Sequence, residues 1–202
     1  MEITIREAEK EDAPFIGNAI TMAIGDELAA ELGGPDHNVE DVENLFISLA
    51  RRKDSQYSYL NSLVAEDERG NVAGVIVSYD GAKLRELRKS FFNEARIAIG
   101  LDIDIDNLDN VTDETGPEEY YLDSLAVFPD YRGNGIAAQL IDEASKKADL
   151  CGKPAGLLCS KTNDKARRLY ERIGFRPVGE RYFAGELMDH LMREKGNKRY
   201  ND

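Results

Sequence analysis

An apolar strand that runs into Arg132-Gly133-Asn134-Gly135-Ile136-Ala137, and from there into an amphipathic helix, constrains this chain more than any other feature. Glycines at a strand-to-helix turn let the backbone approach a ligand closely. The first N–H groups of a helix have no partner within it, and the helix dipole makes that end electropositive. Together these features read as a pyrophosphate cradle. A second strand, Ala155 to Cys159, follows the cradle helix. Beyond it, Asn163 precedes another amphipathic run, which carries Tyr170.

The remainder supplies strands and helices around that unit. Ile3 and Ile5 alternate with polar residues and predict a short first strand. Asp12 ahead of Ala13-Pro14 predicts a helix start, because Pro is tolerated in the first turn. Phe15, Ile16, Ala19, Ile20, Ala23, Ile24 and Leu28 recur at helical spacing until Gly33-Gly34-Pro35 breaks the run. Val42, Leu45, Phe46 and Leu49 share one face of a second helix. Leu63-Val64-Ala65 and Val72 to Val77 read as a hairpin turning at Glu68-Arg69-Gly70-Asn71. Ile136, Ala137, Leu140, Ile141 and Ala144 face inward on the cradle helix, which ends at Cys151-Gly152. Ala166, Leu169, Tyr170 and Ile173 form the inner face of the next helix, and closing strands are expected around 178–183 and 187–191. With 202 residues the chain is read as one domain over 1–202, ending in a polar tail at about 195–202.

Charge narrows the partners. Acidic residues number 39 against 26 basic, for a net charge of −13, so the surface repels phosphate backbones and anionic lipid. Neither a nucleic acid nor a membrane is expected as a partner. No apolar run approaches the ~20 residues of a membrane span, and the charged, alternating start does not read as a signal peptide. Cys151 and Cys159 lack disulfide or metal spacing and are expected to be buried, reduced thiols of a cytoplasmic protein. Lys161, Lys165, Arg167, Arg168 and Arg172 crowd one stretch, which is either a solvated helix face or an attractor for an anionic cofactor.

Residues 81–118 form an insertion. Leu84, Leu87, Phe91, Ala95 and Ala98 predict a helix in its first half, while the second half is strongly acidic. Asp102, Asp104, Asp106 and Asp113 partly match a calcium-loop register. However, Asn107 replaces the required Gly, Asp109 replaces an apolar residue, and the last ligand is Asp rather than Glu. A solvated loop, a strand with Ile103 and Ile105 turned inward, and an electronegative rim for a cationic substrate all remain open. No metal is expected.

Two blocks carry a family resemblance. One is Leu125-Ala126-Val127-x-Pro129-x-Tyr131-Arg132-Gly133-x-Gly135-Ile136-Ala137. The other is Asn163-x-x-Ala166-x-x-Leu169-Tyr170-x-x-x-Gly174-Phe175. With both in order and a strand between them, the chain resembles the GNAT superfamily of acetyl-CoA-dependent N-acetyltransferases. The resemblance implies an α/β (α+β) fold, with a central mixed, mostly antiparallel sheet flanked by helices and with splayed central strands. It implies acetyl-CoA as co-substrate, with Arg132, Gly133, Asn134, Gly135, Ile136, Ala137 and Ala138 around its pyrophosphate. Leu125, Ala126 and Val127 would pair with the pantetheine arm as a strand edge. The Leu125 N–H would stabilise the oxyanion, Asn163 would bond the cofactor arm, and Tyr170 would protonate the departing thiolate. The expected reaction is acetyl transfer to a primary amine, a small cation or a peptide, by direct attack through a tetrahedral intermediate. A homodimer paired at the closing strands is compatible with such a sheet.

The residues alone leave alternatives. Asn163 also reads as a plain helix N-cap, Tyr170 as core packing, and Arg132 as a brace for its loop. At the position of the family's usual Glu base stands Tyr121. Asp123, two residues on, is the catalytic candidate for receiving the amine's proton, with Glu119 a second carboxylate on the same strand. His37 reads as a loop residue and His190 as a strand-face residue. The empty base position also motivates a different class, a non-catalytic acyl-CoA sensor.

Overall fold

The computed structural model describes residues 1–102 and 112–196. Its seven strands are β1 (Ile3–Glu7), β2 (Ser62–Asp67), β3 (Val72–Asp80), β4 (Tyr120–Val127), β5 (Ala155–Cys159), β6 (Arg176–Phe183) and β7 (Glu186–Arg193). They form one sheet in the order β1-β2-β3-β4-β5-β7-β6. Only β4 and β5 run parallel, because a helix crosses between them; every other neighbour pair is antiparallel. The expected fold class is the one observed.

Five helices cover the two faces. On one lie α1 (Ala13–Gly33), α2 (Val39–Ala50) and α3 (Leu84–Ala98), with Ile16, Ile20, Leu45, Phe46 and Leu49 packed on Val75, Val77 and Ala126 of the sheet. On the other lie α4 (Ile136–Leu150) and α5 (Asp164–Arg172), where Leu140, Ile141 and Ala144 meet Leu63, Ile76, Leu157 and Phe175. β3 supplies both faces, which is why Val72 to Tyr79 is buried throughout. The acidic insertion begins with α3, which docks on α2 through stacked Phe46 and Phe91 rings 6.3 Å apart. Among the described residues no helix is long and apolar enough to cross a membrane.

Three local features depart from the periodicity. Gly25 sits inside α1 at φ 81°, ψ 161°, so the run from Phe15 to Leu28 is two helical pieces meeting at a bend. Only glycine adopts that backbone readily. In β4, Ser124 faces Val77 and Leu122 faces Ser78, leaving Asp123 as the extra residue of a β-bulge. Cys151 is exposed beyond the end of α4, contrary to the expectation of two buried thiols; Cys159 is buried and its thiol is pushed up by burial. The positions Ile103, Asp104, Ile105, Asp106, Asn107 and Asp109, which bear on the calcium-loop and inward-strand readings, lie outside the described residues.

Candidate active site

The β4–β5 junction makes the site. These strands pair only at Tyr120–Ala155 and Tyr121–Gly156, then separate. β4 remains paired to β3 along its whole length, and Phe128 N–H donates to the Ala73 carbonyl at 3.0 Å. Backbone groups alternate sides along a strand, so Ala126 and Ser124 also face β3, whereas Leu125 and Val127 turn their N–H and C=O groups into the gap. The opened end is a cleft of about 1340 Å³ that reaches both faces of the sheet.

The cradle closes one side. A single 3₁₀ turn, Pro129–Tyr131, reverses the chain after β4. Gly133 and Gly135 then take φ of 83° and 74°, which points the start of α4 at the cleft. Gly135 is the N-cap and has no side chain to bond the first amides of the helix. The amides of Ile136, Ala137 and Ala138 are therefore free for an anion, at the electropositive end of a helix of 15 residues. The Arg132 side chain turns back, its Nε donating to the Val127 carbonyl at 3.1 Å, which is the bracing role.

Asp123, Leu125, Ala126, Val127, Arg132, Gly133, Gly135, Ile136, Ala137, Ala138, Asn163 and Tyr170 all line this one cleft. Among the predicted residues Asn134 is different: its Nδ2 donates to the carbonyls of Tyr131 and Arg132 at 3.0 and 3.3 Å, stiffening the loop from within. Asn163 caps α5, with Oδ1 accepting from Ala166 N–H at 3.1 Å, and its other side-chain groups remain available to a ligand. Tyr170 packs against Phe175, ring centroids 5.9 Å apart, and burial pushes its hydroxyl up to about 12. Lys165, Arg168 and Arg172, exposed and spaced three and four residues apart on α5, line the same cleft, whereas Lys161 pairs with Glu180 and Arg167 with Glu171 and Asp189.

On the face of α1 the cleft is walled by Met22, Ile24, Leu28, Glu27 and Glu31, with Tyr57 and Tyr121 deeper in. The bulge presents the Asp123 carboxylate here. It accepts from the Tyr79 hydroxyl at 2.8 Å and the Ser124 hydroxyl at 2.8 Å. Burial pushes it up, and these hydrogen bonds offset only part of that. Glu114 is also buried and pushed up to about 7, by burial first and then by the charge of Asp123.

Glu119 is elsewhere. It is fully buried, 2.7 Å from Nε2 of His190, and accepts from Thr115 Oγ1 at 2.8 Å and Gly116 N–H at 3.2 Å. It does not line the cleft and sits at the closed end of the splay. Tyr121 is buried and its hydroxyl pushed well above its usual range by burial, which removes it as a base. The insertion's described acids do not rim the cleft either. Asp113 pairs with Arg85 at 2.9 Å and Arg88 at 2.7 Å, and Asp102 lies outside the lining. Glu27, Glu31 and Tyr57 were not singled out by sequence; an i, i+4 pair of acids following the apolar run of α1 was the available signal.

Comparison with known proteins gives the family and the fold. The sequence matches the Acetyltransferase (GNAT) family over residues 26–175, and the chain belongs to that family. It is an acetyltransferase of a family that generally uses acetyl-CoA. A crystal structure described as an acetyltransferase is similar, with 29% identity, TM-score 0.75, 95% of this chain and 98% of the other covered. An N-acetyltransferase from Staphylococcus aureus Mu50 is similar at 26% identity and TM-score 0.75, over 94% of this chain and 99% of its own. An uncharacterised protein of Mycobacterium leprae (strain TN) is 36% identical over 85 residues, 40% of this chain. The match spans 23% of that relative's length.

Proposed function

We propose that this enzyme transfers the acetyl group of acetyl-CoA to a primary amine by direct attack on the thioester. The observation that carries the proposal is the β4–β5 separation, which leaves the Leu125 and Val127 amides facing an open cleft whose mouth is the free N-terminus of α4. In this reading the amides at 133–138 hold the pyrophosphate, the Arg132 amide being bonded to the Pro129 carbonyl, and the cationic face of α5 assists. The pantetheine arm lies along β4 as an added strand edge, bonded by Leu125, Val127 and Asn163, while the Ala126 backbone stays paired to β3.

The chemistry follows from the two sides of the cleft. The amine enters from the α1 face as an ammonium of pKa about 10 and must lose a proton before it attacks. Asp123, a stronger base than an ordinary carboxylate because burial pushes it up, takes that proton. The amine nitrogen bonds the carbonyl carbon, and the charge that develops on oxygen is met by the Leu125 N–H. Collapse breaks the C–S bond, with the electron pair leaving on sulfur. Tyr170 stays protonated at neutral pH and donates to that sulfur as it departs. The amide nitrogen gives up its second proton, through water, to the Tyr170 phenolate, and Asp123 passes the first proton to solvent, so both groups are restored.

Mixing the protein with acetyl-CoA and a set of amines, and following thiol release and N-acetyl product by mass spectrometry, tests this. Product that depends on an unprotonated amine is expected. Acetyl-CoA binding with no transfer across the set and across pH would instead support a sensor.

A further inference from the structure

The wall of the cleft that faces α1 carries a charge arrangement that acetyl transfer to a simple amine does not require. Glu27 and Glu31 follow the Gly25 bend, one helical turn apart, and both are exposed and line the cleft. Among the described residues neither forms an ion pair or a side-chain hydrogen bond. Two like charges at i, i+4 repel across about 6 Å of helix and destabilise it. A protein can relieve this with a cation of its own, as it does at Asp113 with Arg85 and Arg88. At Glu27 and Glu31 it does not.

Of the cations that line the cleft, Lys165, Arg168 and Arg172 sit on α5, on the far side of the sheet, where a diphosphate suits them, and Arg132 stands in the cradle loop. Glu186, at the start of β7, also lines it and accepts from the Ser160 hydroxyl. The cleft is thus polarised, since α1 lines it with acids and with no cation. Its acidic half has a third carboxylate, Asp123, set deeper among the hydroxyls of Tyr79 and Ser124. The same side of the cleft is lined by apolar Met22, Ile24 and Leu28 of α1. Acids set in hydrocarbon complement ammonium groups joined by a methylene chain.

We propose that the acceptor is a small aliphatic molecule with at least two amino groups, and that Glu27 and Glu31 bind its distal ammonium while the reacting amine lies at Asp123. This rests on the acetyl-transfer reading above and adds the acceptor class to it. The reaction balances as for any amine: one N–C bond forms, the C–S bond breaks, and the reacting ammonium nitrogen loses two protons, one that ends in solvent by way of Asp123 and one that replaces the proton Tyr170 gives to sulfur. The second nitrogen stays charged and takes no part in bond making. Glu27 and Glu31 act as specificity determinants through charge alone.

The experiment compares straight-chain monoamines with α,ω-diamines of equal carbon number, at fixed ionic strength, by thiol release. Wild type is expected to favour the diamine in kcat/KM by about tenfold, the sum of two exposed charge contacts, and chiefly through KM. Added salt should shrink that preference. A Glu27→Gln/Glu31→Gln variant, shown by circular dichroism to be folded, is expected to bring the ratio close to one. A ratio near one in wild type, or an unchanged ratio in the variant, overturns the inference and leaves acetyl transfer standing. A neutral amine or a basic peptide preferred over every diamine also overturns it. Transfer to no amine at all, with acetyl-CoA bound, fails the acetyl-transfer reading first and removes this inference with it.

Discussion

Nε2 of His190 lies 2.7 Å from Oε2 of Glu119, joining the foot of β4 to β7 across the intervening β5. The pair holds the closed end of the splay. A Cβ at Gly156, the β5 residue between them, would fall 1.6 Å from the Glu119 carboxylate, so the strand can run there only without a side chain. Burial alone would push Glu119 up, but the bonds from His190 and Thr115 outweigh it and hold the group below its ordinary range.

Glu119→Gln is therefore expected to lower stability by about 2 kcal/mol or more, because buried groups lose their charged acceptor. The sign with pH is set by the direction of the shift. A depressed carboxylate stabilises the fold fully above its unfolded pKa of about 4.3, and that contribution is lost as pH falls through the folded value. Urea titrations between pH 3 and pH 7 should show an acid limb in wild type that is shallower in the variant.

Asp123 shifts the other way. Its folded pKa is raised, so the charged form opposes folding once pH exceeds the unfolded value near 3.9, and the penalty is complete above the folded value. Asp123→Asn should lower kcat about 10²-fold or more while leaving acetyl-CoA affinity intact and stability at pH 7 equal or higher. Steady-state kinetics with calorimetry checks the first part, and urea unfolding the second. A stable variant with wild-type kcat would mean that another group takes the proton.

Tyr170→Phe should reduce kcat by about 10²-fold with little change in acetyl-CoA affinity, since the hydroxyl acts as sulfur departs. Phe keeps the packing against Phe175, so the fold should be unaffected. An unchanged kcat would mean that water supplies the proton.

Much of this was readable from local pattern. The cradle, the Asn163 cap and the inward faces of α4 and α5 depend on residues within one turn of each other, and glycine spacing and 3.6-residue periodicity encode them directly. The bend at Gly25 was hidden because apolar residues continue in helical phase through it. The bulge at Asp123 was hidden because it is a register mismatch with β3, more than forty residues away. The assignment of Glu119 to a structural role needed His190, 71 positions along the chain. Likewise the sequence could not show that Asp113, 28 positions from Arg85, is bound by Arg85 and Arg88.

Gly25 carries its own prediction. A Cβ there meets nothing within 4 Å, so packing would tolerate Ala, but the backbone at φ 81° would not. Gly25→Ala is expected to cost about 1–3 kcal/mol, or to straighten α1 and carry Glu27 away from the cleft. Thermal unfolding alongside acceptor KM separates the two outcomes.

The central claim is that the main-chain amides at 133–138 grip the diphosphate of acetyl-CoA. Isothermal calorimetry of acetyl-CoA with wild type and with Gly135→Asp tests it most directly, since Asp tolerates a left-handed backbone but adds negative charge at the cradle. One-site binding by wild type, lost or weakened at least tenfold in the variant, is the predicted result. No binding heat from folded wild-type protein, or equal affinity in the two, would contradict the account.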